Sequence, residues 1–249
     1  MTSPAAFDRL ARDYDDLWTN SNAGRAQRES VWHVMDRLFQ PGNQILDIGC
    51  GTGEDALHLG RNGIHVSAID ASGEMVKIAS SRGVASTRLA IEDLHRIHAR
   101  YDGVLSNFGA LNCVPRLGSV AALLGGLVRH RQYAVICLLN RACAWEMVWF
   151  GLRLRFREAF RRFHDGGVPT SLGLLVYYPS AKDVCRAFEP AFELVRSIGV
   201  GVFVPPSYVN LPARAVRALE RIDATLGGLP WLRALGDHRL YVFRQRSAC

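Results

Sequence analysis

Two rhythms of apolar and polar positions alternate along the first half of the chain: short apolar runs, separated by stretches with helical spacing. The runs are Gln44 to Ile48, one ending at Asp70, Thr87 to Ile91, Gly103 to Phe108 and Tyr133 to Leu139. They predict five strands, and their alternation with helices predicts a parallel sheet covered on both sides. Leu117, Val120, Leu124, Leu127 and Val128 mark one face of the helix between the fourth and fifth strands. Two more helices should precede the sheet. One starts after the cap and first-turn proline of Ser3-Pro4, and the other carries Val31, Val34, Met35, Leu38 and Phe39 at helical spacing.

Beyond the fifth strand the pattern changes. Ala144 to Phe163 reads as one long helix with Trp145, Val148, Trp149, Leu152, Phe156, Phe160 and Phe163 on a single face, which suggests an inserted lid. Its opposite side is not cleanly polar, since Met147, Phe150 and Leu154 lie near Arg157 and Arg161. Something apolar must cover it, with substrate, a partner subunit or a membrane surface as candidates. Ser171 to Tyr178 predicts an extra strand, Ser180 caps a helix through Phe188, and Phe192 to Val204 supplies a sixth strand. Leu211 to Leu235 predicts a second helical insertion, and Leu240 and Val242 alternate with Tyr241 and Phe243 in a last strand. No internal repeat or low-complexity tract interrupts the chain.

The first strand carries the chemistry. Ile45-Leu46-Asp47-Ile48 runs straight into Gly49-Cys50-Gly51-Thr52-Gly53, and a helix opens at Glu54. Glycines at 49, 51 and 53 let the backbone turn tightly and approach a ligand, while the helix directs its unpaired amides at the same place. The second run ends in Asp70, at the spacing expected of a carboxylate that holds ribose hydroxyls. Glycine turn and ribose acid together indicate an adenosyl-type ligand. A dinucleotide is the second choice, because Glu54 stands where a third glycine would receive a pyrophosphate. S-adenosylmethionine has no phosphate, and its ammonium tolerates an acid beside the turn.

With these residues the chain resembles the class I S-adenosylmethionine-dependent methyltransferases, with Asp47 to Gly53 matching their first motif and Asp70 their ribose acid. The resemblance implies a Rossmann-like, seven-stranded, mostly parallel doubly wound α/β sheet whose last strand is antiparallel. It implies that Ala71 and Met75 lie along the adenine, that Ile91, Glu92 and Asp93 meet its edge, and that Asn107 and Phe108 follow the fourth strand where donor and acceptor meet. Phe7-Asp8, Tyr14-Asp15 and Trp18 resemble the opening segment of small-molecule methyltransferases of ubiquinone and menaquinone biosynthesis. Tyr14 is then the candidate ring over the sulfonium, and Arg28 a candidate for the methionine carboxylate. The expected cofactor-binding set is Asp47, Gly49, Cys50, Gly51, Gly53, Asp70, Ala71, Met75, Ile91, Glu92, Asp93, Asn107, Phe108, Tyr14 and Arg28, with no metal.

Residues 1–249 fit a single domain: a helical cover (1–42), a cofactor-binding core (43–140), a lid insertion (141–178) and the C-terminal half of the sheet (179–249), which carries a helical insertion at 211–236. The start shows no signal-peptide pattern and no segment reaches the length of a membrane span, so a cytoplasmic location is expected. Cys50, Cys113, Cys137, Cys143, Cys185 and Cys249 show no paired spacing. The formal charge of +7 gathers partly in Arg141, Arg153, Arg155, Arg157, Arg161 and Arg162. This raises an RNA-modifying alternative with the lid as a phosphate track; against it, the aromatics lie on the apolar face rather than among the arginines. A non-catalytic cofactor-binding or membrane-surface protein is the third reading. Methyl transfer needs alignment and dryness more than a protein nucleophile. If a base is required, His164, Tyr177, Tyr178, Asn112 and Cys113 are the candidates near the ligand edge. The expected acceptor is a small, largely apolar natural-product, quinone-like or lipid-like molecule, with nucleic acid not the expected partner and the protein a monomer or homodimer.

Overall fold

The computed structural model describes residues 4–170, 173–209 and 211–246; Ser3 and Cys249, and part of the strand expected from Ser171, lie outside them. Helix α1 (Pro4–Leu10), a π-helical turn (Asp15–Thr19) and α2 (Asn22–Leu38) precede β1 (Gln44–Ile48). The core continues as α3 (Glu54–Arg61), β2 (His65–Asp70), α4 (Gly73–Ser81), β3 (Ala85–Arg88), β4 (Tyr101–Ser106), α5 (Leu117–Leu127) and β5 (Val128–Leu139). The lid region holds α6 (Ala144–Gly151), α7 (Phe156–Ala159), β6 (Val168–Pro169) and β7 (Leu175–Val176). The chain then adds α8 (Ala181–Phe188), β8 (Phe192–Val200), α9 (Ala213–Leu226) and β9 (His238–Gln245).

Seven strands form one sheet in the order β3-β2-β1-β4-β5-β9-β8. The first five are parallel, and β9 runs antiparallel between β5 and β8. Alternate residues of the central strands feed two cores, which is why these strands read as nearly continuous apolar runs. Leu46, Val104, Ile136 and Phe243 pack with α5 and α8, whereas Ile45, Leu105, Val135 and Val242 pack with Met35 and Phe39 below. Phe188 stacks flat on Phe243 at 4.3 Å between centroids.

Strand direction positions everything that follows. The carboxyl ends of β1, β2, β4 and β5 gather at one edge of the sheet, and an antiparallel β9 brings its amino end to the same edge, pairing His238 with Leu139.

Several boundaries differ from expectation. The third strand stops at Arg88, and Ile91–Arg96 is a 3-10 helix. The sixth strand ends at Val200, where Asp223 on α9 accepts the backbone N–H groups of Val202, Phe203 and Val204 and turns the chain away. The second insertion is α9 followed by a short 3-10 turn at Leu232–Ala234. The lid departs most: instead of one helix it breaks after Gly151, with Leu154 at φ +57, and resumes as α7 and a 3-10 turn at Arg161–Phe163. Arg153 folds back to lie 3.5 Å from the Trp149 ring centroid and donates to the Trp149 carbonyl, satisfying a helix end that has no successor. The expected single face is therefore split, and Val148, Leu152, Leu154, Phe156, Phe160 and Phe163 are exposed.

Candidate active site

Two adjoining cavities open along the ligand edge. The first is lined by Gly49, Gly51, Asp70, Ala71, Met75, Ile91, Glu92, Asn107 and Phe108, with Phe7 and Tyr14 from the cover, Leu139 from β5 and Thr170, Leu174 and Val176 from the lid region. The second shares Phe7, Tyr14, Phe108 and Leu139 and continues among Trp18, Gln27, Arg28, Arg161, Arg162, Tyr208, Asp237 and His238. Tyr14 and Phe108 thus stand at their junction.

The glycine turn shapes the first cavity. Gly49 (φ +73) is packed so closely that a Cβ would fall 2.3 Å from the Ala110 Cβ. Gly51 (φ +55) faces the other way, and its nearest neighbour for a Cβ is the Tyr14 ring at 4.0 Å, so this glycine leaves room in the cavity. Asp70 closes β2 beside it. One carboxylate oxygen accepts the Gly51 N–H at 2.9 Å and the other the Ser72 N–H at 2.8 Å, which fixes the carboxylate against the turn. Burial raises its pKa, and these amides act in the opposite direction.

Below the turn lies a buried polar cluster. Asp55, on α3, accepts hydrogen bonds from Trp32 at 2.7 Å and Asn107 at 3.0 Å and pairs with Arg28 at 2.7 Å. Burial works against its charge, but Arg28, Asn107 and Trp32 outweigh it and hold Asp55 below the usual carboxylate range. Asp47 differs: burial, reinforced by the Asp55 charge, drives its pKa well up. One Asp47 carboxylate oxygen and the Asn107 side-chain oxygen are buried with no hydrogen-bond donor among the described residues. Two unsatisfied acceptors beside a glycine turn suit a cationic ligand group.

The N-terminal cover is strapped to this edge. Asp8 accepts from the Ser72 hydroxyl at 2.6 Å and the Glu74 N–H at 3.1 Å, while Asp15 accepts from the Thr52 hydroxyl at 2.7 Å and pairs with Arg82. These straps carry Tyr14 over Gly51.

The expected cofactor set divides as follows. Gly49, Gly51, Asp70, Ala71, Met75, Ile91, Glu92, Asn107, Phe108 and Tyr14 line the first cavity, and Arg28 lines the second, where its guanidinium lies 4.8 Å from the Phe108 ring centroid. Asp47 is buried in β1 and Gly53 (φ +88) precedes α3, both outside the lining; Cys50 packs against the cluster of Ala56, Ala68, Ala79 and Val84, and Asp93 sits in the 3-10 helix outside the lining. Of the suggested bases, Cys113 lines a cavity of this edge and the others do not. His164, Tyr177 and Tyr178 border a separate recess with Asp165 and Asp183, although the neighbouring Leu174 and Val176 line the first cavity. Asn112 is a structural brace, donating to the Tyr177 carbonyl at 2.6 Å and accepting the Leu139 N–H at 2.8 Å. Cys113 lines the first cavity as a neutral thiol, pushed up to about 11 by burial.

Sequence reasoning missed Gln27, Tyr208, Asp237 and His238. The one available signal was the Asp237-His238 pair immediately before an alternating strand that runs antiparallel, which must begin at the ligand edge.

Known proteins bear on this geometry. Residues 45–129 match the family model of a methyltransferase domain. Over 125 residues the chain is 34% identical to the ubiquinone biosynthesis O-methyltransferase of Xylella fastidiosa, covering 47% of this chain and 50% of that one. The chain spans about half the length, or less, of the curated relatives it matches. A putative S-adenosylmethionine-dependent methyltransferase from Listeria monocytogenes superposes with a TM-score of 0.62 at 17% identity, over 88% of this chain and 98% of that one. The 1,6-didemethyltoxoflavin-N1-methyltransferase of Burkholderia thailandensis, solved with S-adenosylhomocysteine, gives 0.61 at 19% identity over 98% of this chain and 87% of that one. Residues 45–129 are therefore similar to a methyltransferase domain, and the chain has the Rossmann-like fold seen in S-adenosylmethionine-dependent methyltransferases.

Proposed function

We propose that this protein transfers the methyl group of S-adenosylmethionine to a small molecule held in the second cavity. The observation that carries this reading is the junction of two cavities at Tyr14 and Phe108 on the carboxyl edge of the sheet. Asp70 would hold the ribose hydroxyls and Met75 would lie against the adenine. The unsatisfied oxygen of Asn107, which lines the first cavity, would receive the methionine ammonium. Tyr14 would present its ring to the sulfonium.

When bound, the cofactor supplies an electrophilic methyl group; the chain aligns the acceptor with it and keeps water out. The second cavity combines the aromatic surfaces of Tyr14, Trp18, Phe108 and Tyr208 with the polar groups of Gln27, Arg161 and His238. It suits an acceptor with a flat apolar body and at least one polar substituent. A phosphate track along the lid is not favoured, because most of its arginines already have partners within the chain. Arg161 and Arg162 pair with Glu146, Arg155 with Glu158 and Arg141 with Asp165, while Arg153 covers Trp149.

Incubating the protein with labelled S-adenosylmethionine and a metabolite extract should label a small molecule, and labelled RNA in its place would overturn the acceptor class. Asp70→Ala should weaken binding of S-adenosylhomocysteine roughly 10- to 100-fold, the worth of one or two hydrogen bonds to a charged group. Titration calorimetry reads this directly, and an unchanged affinity would remove Asp70 from the site.

A further inference from the structure

Resting on the proposed methyl transfer, we infer that His238 removes the proton from an acidic O–H or N–H of the acceptor in the second cavity. His238 begins β9, pairs with Leu139 at the end of β5, and meets the Phe108 ring edge-on at 5.3 Å between centroids. Phe108 in turn lines the first cavity, so one ring separates the imidazole from the methyl donor's place.

Its surroundings are those of a base. Nδ1 is buried and faces the Asp237 carboxylate at 3.4 Å without completing a hydrogen bond. Nε2 makes no hydrogen bond among the described residues, which leaves that edge of the ring for the cavity. Three charged groups bear on the ring: Asp237 beside it, Arg162 from the lid and Arg28 from α2. Burial dominates and lowers the pKa, Asp237 opposes it, and the two arginines add to the lowering. The ring is therefore neutral at neutral pH. As it takes a proton, Asp237 can complete the Nδ1–H bond and stabilise the imidazolium. Asp237 is itself held in place by Arg162 at 2.7 Å and Gln27 at 3.5 Å.

The step balances without a further reagent. The acceptor's O–H or N–H proton passes to Nε2, and the heteroatom lone pair forms the bond to the methyl carbon. The sulfur–carbon electron pair stays on sulfur, leaving a neutral thioether. The imidazolium then returns its proton to water. This mechanism selects acceptors that are phenol-like, enol-like or bear an acidic ring N–H.

The test uses 4-nitrocatechol, whose anion absorbs apart from its neutral form, added to the full chain saturated with S-adenosylhomocysteine. Bound probe should shift towards the anion by at least about tenfold at a pH below its free titration, within the range of general-base effects. The 15N signals of His238 should move from neutral to protonated ring in step. His238→Gln should retain S-adenosylhomocysteine affinity within about twofold and lose the ionisation shift, and His238→Asn should do the same if glutamine perturbs folding. Failure of the probe to bind this complex, binding with unchanged ionisation, a His238 signal that stays neutral, or a shift that survives both substitutions would overturn the assignment. If S-adenosylhomocysteine does not bind the unsubstituted protein, the methyltransferase reading itself fails, and calorimetry registers that separately.

Discussion

Gly51→Arg is expected to lower the affinity for S-adenosylmethionine more than about 100-fold while leaving the sheet assembled, a loss of at least ~2.7 kcal/mol. The Gly51 Cβ direction is open apart from the Tyr14 ring at 4.0 Å, so a long side chain enters the cavity and not the core. The φ of +55 adds a left-handed penalty of about 1–2 kcal/mol, tolerable for a chain of this size. The guanidinium would also place a positive charge against a cationic ligand. Calorimetry and far-ultraviolet circular dichroism measure the two halves of the expectation, and affinity retained within tenfold would displace the ligand from the glycine turn. Gly49→Ala is the contrasting case: its Cβ would overlap Ala110, so it should cost about 1–3 kcal/mol of stability through overpacking.

Arg162→Met is expected to destabilise the fold by about 3–5 kcal/mol, measured by urea unfolding. The guanidinium is buried and donates to Glu146 at 2.8 Å, to the Asp237 carboxylate at 2.7 Å and to the carbonyls of Asn140 and Asp237 at 3.2 and 2.9 Å. Removing it leaves two buried carboxylates short of their shared cation, with Glu146 dependent on Arg161. At about 2–4 °C per kcal/mol for a chain of this size, the melting temperature should fall by roughly 10 °C. Replacing Glu146 and Asp237 together with Arg162 by apolar residues of similar volume should recover much of the loss, because the unpaired charges disappear too. A loss below about 1 kcal/mol in the single variant would show that the lid is not fastened through this network.

What the sequence revealed follows from how local each signal is. The strand β1, the glycine turn and Asp70 are written in contiguous residues whose spacing alone determines where they meet. The second cavity is not, since Gln27, Tyr208 and His238 come from a helix, a loop and an antiparallel strand that only the tertiary fold unites. The lid was misread for a different reason. Its apolar spacing continues across the break, and the left-handed position is filled by Leu154, a residue that gives no warning of a helix end.

The position of β9 has a consequence for biogenesis. Because β9 fills the gap between β5 and β8, the last strand of this sheet in chain order is the one that joins β8 to the rest. It arrives with His238, long after Tyr14 has been synthesised. The assembled pocket is thus a late, long-range event, and a nascent chain that has folded its glycine turn still lacks the wall on which an acceptor would rest.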